Sequence, residues 1–193
     1  MPPLSKYNSL PVPPAESPCG ATVLVRLVDG LAFRYRWAVD GLERKDLEFR
    51  PCDDAMTLGQ LLDHLRYLAR WMHINARAAH LGLDPVAYPD CCVGLQDPEG
   101  DPEALIHQTM TALVDLRDYV LELGESGLSK VMLVGGREPT NFPVWYLLNG
   151  PLSDALTHVG QVTSWRRILG KPVPRHDVFR GRPPAGANAT ESA

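Results

Sequence analysis

Across residues 57–81 an apolar side chain returns every three or four positions, and this period constrains the fold more than any other feature of the sequence. Successive helical residues turn by about 100°, so Leu61, Leu68, Trp71 and Ala78 share one face, together with His64 and Asn75. Thr57 followed three residues later by Gln60 matches a capping box, and Gly82 supplies a stop. A helix of this length must bury its stripe against other elements, so partner helices are required.

Three further segments meet that need. In residues 22–39, Leu24, Leu27, Val28, Leu31, Tyr35 and Ala38 form a stripe, weakened slightly by Gly30. Residues 102–123 form a third helix, capped by Asp101 with Pro102 in the first turn. Residues 151–169 form a fourth, ended by Gly170 and Pro172. Between the last two, residues 142–148 (FPVWYLL) read as a short helical turn on the bundle. Residues 130–134 (KVMLV) read as a strand that could not stand alone. The expected fold class is all-α, a four-helix bundle with long loops and extended N- and C-terminal arms.

The boundaries follow from composition. Residues 1–20 carry Pro2, Pro3, Pro11, Pro13, Pro14 and Pro18 and read as a flexible proline-rich arm. Residues 21–175 form the helical domain, and residues 176–193 read as a flexible tail, small and polar from residue 182 on. With 193 residues and 45% hydrophobic content, one well-filled core is the expectation. A net charge of -4 gives no footprint for nucleic acid, and Arg166 and Arg167 alone read as solvated surface. No stretch reaches 18 continuous apolar residues and the start lacks an apolar leader core, so a cytoplasmic protein without membrane contact is expected. Cys19, Cys52, Cys91 and Cys92 lack zinc-site spacing and read as reduced thiols. Cys92, in a long loop, has no base beside it in sequence.

Chemistry concentrates on two helices. His64 lies on the inward stripe of the second helix. His158 shares a face of the fourth with Asp154, Val162, Trp165 and Leu169. Asp154 and His158, four residues apart, meet on one side of that helix, and a carboxylate on a core-facing stripe needs a partner. If the two helices pack side by side, His64 completes a group of two imidazoles and one carboxylate, a donor set for Zn, Ni, Fe or Mn. A second reading stays open: Asp154, near the helix start, simply caps the helix, His158 bonds only to Asp154, and His64 is a satisfied core histidine. His73 and His80, nine and sixteen positions beyond His64, point to the opposite side and read as surface residues.

The segments MTLGQLLDHLRYLARW (56–71) and NGPLSDALTHVGQVTSWRRILGKP (149–172), in this order and spacing, resemble the DinB-like superfamily of four-helix metal-binding proteins. The lead-in WAVDGLERKDLEFRPCDDAMT (37–57) is similar too, so the resemblance spans most of residues 22–175. Such proteins use one histidine of the second helix and two of the fourth. His64 and His158 match the outer two, while Asp154 stands where the middle histidine is expected. The resemblance implies a divalent-metal protein, either a thiol-transferase or isomerase working with a low-molecular-weight thiol, or a hydrolase of small molecules. It also admits a homodimer. The alternative is a non-catalytic metal- or small-ligand-binding or structural protein with a degenerate site, which Asp154 favours. Trp71 and Trp165 are candidates for lining a pocket beside the metal. Gln161 is a candidate for orienting a ligand, and Tyr67 and Asn75 are weaker pocket candidates.

Overall fold

The computed structural model describes residues 18–84, 86, 100–134 and 140–174. Four helices dominate: α1 (Gly20–Val39), α2 (Leu58–Leu81), α3 (Pro102–Gly127) and α4 (Pro151–Ile168). The 1–17 arm, residues 175–193, and Cys91 and Cys92 lie outside the described residues.

Local signals in the sequence account for the helix ends. The Thr57 hydroxyl accepts from the Gln60 amide at 3.1 Å, and Gln60 Oε1 accepts from the Thr57 amide at 2.8 Å. Gly82 closes α2 in the left-handed region at φ 67°. At the start of α3, Asp101 accepts from the Glu103 amide at 3.0 Å. That helix runs four residues past its expected end at Leu123, but through a break at Gly124, where φ is 61°.

Packing gives the bundle its order. α1 touches α3 and α4, and α2 likewise touches α3 and α4, so α1 and α2 lie on one diagonal and α3 and α4 on the other. The link from α1 to α2 carries a 3-10 turn, Arg44–Glu48, which packs on α2. The seam between α2 and α4 is therefore a direct helix contact, as the sequence expectation required.

The lone strand finds a partner. β1 (Val131–Val134) pairs antiparallel with β2 (Thr140–Pro143), with Val131 opposite Pro143 and Val134 opposite Thr140. A 3-10 turn, Val144–Leu148, follows and is tied back by the Val144 amide to the Lys130 carbonyl at 2.9 Å. Met132 and Leu147 from this unit are buried in the main core. The expected helical turn over 142–148 is thus a strand end followed by the 3-10 turn.

Two surface expectations are corrected. His73 is buried: its ring stacks on Tyr119 of α3 with centroids 5.5 Å apart, and Nε2 lies 3.7 Å from Asp115. Burial, with Arg70 and Arg77 nearby, pushes its pKa down, opposed by Asp115. The reason is that α2 is covered on more than one side, by α3, by α4 and by the hairpin. His80, half-buried, lies 3.5 Å from Glu122 on the same seam. Arg166 is also buried: its guanidinium donates to the carbonyls of Ala38 and Asp40, both at 2.7 Å, fastening the end of α4 to the end of α1. Arg167 is exposed as expected. Among the described residues no helix is long and apolar enough to cross a membrane.

Candidate metal centre

Contact between α2 and α4 brings His64, Asp154 and His158 together, with donor atoms all within 4.8 Å of one another. Asp154 is the hub. One carboxylate oxygen lies 3.7 Å from His64 Nε2 and the other 3.5 Å from His158 Nε2. The two rings meet edge to face, centroids 4.8 Å apart at 86°.

These spacings bear on the choice between a metal set and a hydrogen-bonded trio. A direct hydrogen bond between such groups falls near 2.7–3.2 Å, shorter than either contact. Donors about 2.1 Å from one ion in tetrahedral array stand roughly 3.4 Å apart, close to both. The widest spacing in the group, up to 4.8 Å, has to contract for all three to share an ion. The donor chemistry fits as well: two imidazoles and one carboxylate suit Zn, Ni, Fe or Mn. His158 is further oriented by Gln161, whose Oε1 lies 2.7 Å from Nδ1. With that oxygen accepting, the ring proton sits on Nδ1 and the Nε2 lone pair faces Asp154.

The group sits at the rim of the bundle rather than on the inward stripe expected from the sequence. The Asp154 side chain is 50% exposed, His64 29% and His158 18%. The buried face of α4 is Leu152, Ala155, Val159, Val162 and Arg166, which shares Val162 with the predicted face and otherwise lies one position round from it. Asp154 therefore does not bear the cost of full burial. Nor does it cap α4 through its side chain: the cap position is Gly150, and Asp154 contributes a carboxylate to the first turn.

Beside the group lies an apolar cavity of about 330 Å³. Leu68 and Trp71 of α2, Met132 of β1, Tyr146 and Leu147 of the 3-10 turn, and Asp154 at the start of α4 line it. Trp71 forms part of this wall, and its buried indole N–H has no partner among the described residues. The other pocket candidates do not line this cavity. Asn75 is buried and bonds the Val86 backbone in both directions at 3.1 and 3.2 Å, pinning the start of the loop after α2. Trp165 packs half-buried against the core. The Arg66 guanidinium lies over the Tyr67 ring at 5.0 Å. Gln161 is exposed behind His158. Sequence reasoning missed Met132, Tyr146 and Leu147 as cavity residues. The only signal was the apolar run FPVWYLL, which shows that the turn packs without showing against what.

No family model matches the chain, and no curated protein is similar enough to match it. Among solved structures, the mycothiol-dependent maleylpyruvate isomerase matches with a TM-score of 0.58 at 14% identity, over 83% of this chain. The match covers 60% of that protein's chain. At that identity the likeness is one of fold, and it agrees with the four-helix bundle expected from the sequence.

Proposed function

We propose that His64, Asp154 and His158 bind one divalent transition metal, and that the chain is a metal-dependent enzyme of small molecules that works with a low-molecular-weight thiol. The observation that carries this reading is convergence: three donors from two helices lie within 4.8 Å of one another beside an apolar cavity, the two contacts of Asp154 close to tetrahedral-edge spacing. A bound divalent ion supplies Lewis acidity that favours a thiolate or hydroxide over the neutral thiol or water. His64 and His158 offer neutral donors, and Asp154 adds a negative charge that lowers the Lewis acidity relative to three histidines. Gln161 holds the His158 tautomer that leaves Nε2 free. Thiol chemistry is preferred over hydrolysis because the structural neighbour is a mycothiol-dependent isomerase. A homodimer in the cytoplasm is consistent with this reading.

A second reading rests on Asp154. Its carboxylate is half-exposed, so the trio could persist without an ion, in a non-catalytic ligand-binding or structural protein.

The deciding measurement is elemental mass spectrometry on protein purified without a histidine tag. About one equivalent of metal per chain is expected, falling sharply in His64→Ala while helical circular dichroism is kept. Unchanged metal content in that variant, or no uptake of Zn, Ni or Mn by the parent protein, overturns the proposal. Turnover of an electrophile only in the presence of both metal and thiol separates the thiol enzyme from a hydrolase and from the non-catalytic reading.

A further inference from the structure

We infer that the cavity between α2, the hairpin and the start of α4 takes the uncharged, ring-sized apolar body of the substrate, whose single polar end reaches Asp154 and the metal. The inference deepens the proposed function and rests on it for the polar end only.

The wall of the cavity carries the argument. Leu68, Met132 and Leu147 are buried apolar side chains, Trp71 presents a large aromatic surface, and among the described residues of the wall Asp154 alone brings a charge, at one edge. A low-molecular-weight thiol built on sugars or peptides is rich in hydroxyl, amide and charged groups. Besides Asp154 the wall offers such groups only the Trp71 indole N–H and the Tyr146 hydroxyl, so most of them would lose hydration there without gaining partners. The thiol's body therefore stays outside, and the cavity falls to the other reactant. Size narrows the class. Roughly 150 Å³ accommodates one benzene ring, so about 330 Å³ takes one ring with a short chain or a fused pair. Charge narrows it again: among the described residues the wall holds no cation, so a carboxylate on the buried part of the ligand would approach Asp154 with nothing there to offset it. The fitting class is a neutral monoaromatic or branched aliphatic compound with one donor or electrophilic end.

The test has two arms, so that cavity and metal can fail separately. On metal-free protein, toluene is titrated while the methyl resonances of Leu68, Met132 and Leu147 are followed. Saturable shifts are expected, and Leu68→Trp, which fills the space, should abolish them. On Co(II)-loaded protein, benzyl mercaptan is compared with 2-mercaptoethanol through the thiolate-to-cobalt absorption band. At least about tenfold tighter binding of the benzyl thiol is expected from ring burial, shrinking to within about twofold in Leu68→Trp. Should that variant fail to fold, Leu68→Ala serves instead: the enlarged cavity should favour naphthalene over toluene by several-fold more than the parent protein does. Absence of toluene shifts, or equal affinity for the two thiols on cobalt-loaded protein, overturns the inference. Toluene binding that depends on Leu68, in protein that takes up no cobalt, leaves the cavity standing and removes the metal.

Discussion

Gln161 Oε1 lies 2.7 Å from His158 Nδ1, on the opposite side of the ring from the Nε2 that faces Asp154. A support of this kind fixes ring direction and tautomer without touching the ligand side. Gln161→Leu is therefore expected to weaken metal binding by roughly 10–100-fold, with thermal stability of the metal-free protein unchanged because Gln161 is exposed. Competition against a chromophoric chelator measures the first, and a melting curve in excess chelator the second.

Asp154→His replaces the carboxylate between the two rings with a third imidazole. A shift of preference toward Zn and Ni, with tighter binding of these two, is expected because imidazole suits them better than it suits Mn. Parallel titrations with Zn, Ni and Mn check it. Identical affinities for all three in both proteins would place position 154 outside the ligand set.

His73 predicts an acid-sensitive term. Its pKa is lowered, first by burial, then by Arg70 and Arg77, against the opposing pull of Asp115. The native state thus takes up the proton less readily than the unfolded chain. The stability His73 contributes is fully present above the unfolded value near 6.5 and is lost as pH falls through the lower folded value. Unfolding free energies from urea titrations should fall between pH 8 and pH 4.5 with a slope of at most about 1.4 kcal/mol per pH unit from this group. His73→Phe should flatten that part of the curve.

Arg166→Met removes the donors that satisfy the carbonyls of Ala38 and Asp40. A loss of about 2–3 kcal/mol is expected, equivalent to roughly 4–10 °C in Tm. Arg167→Met, on the exposed neighbour, should change little. Differential scanning calorimetry of the pair makes the comparison.

Helix positions were legible in the sequence because caps and stops are local. Thr57, Gln60, Gly82, Asp101 and Pro102 each act within a few residues of themselves. Facing directions were less legible. On α2 a single stripe was assumed, yet neighbours on several sides bury His73 as well as Leu61. On α4, Trp165 and Leu169 drew the predicted face one position away from Leu152, Ala155 and Val159, which pack the core. The trio was found all the same, since the four-residue spacing of Asp154 and His158 holds whichever way the helix is turned. A pocket with Trp71 in its wall is an expectation of the sequence, but its far wall is not, because Met132, Tyr146 and Leu147 come from a strand and a 3-10 turn whose packing partners are not local.

Leu65 follows His64 and Ala155 follows Asp154, and both side chains line one void of about 10 Å³ in the core. The residues that set the gap between the two helices are thus chain neighbours of the residues that would grip an ion. Helix spacing and ion affinity then form a single mechanical system, with the core as its calliper. A methylene added or removed at Leu65 or Ala155, out of reach of any donor atom, would be read out as a change in the bite of the site.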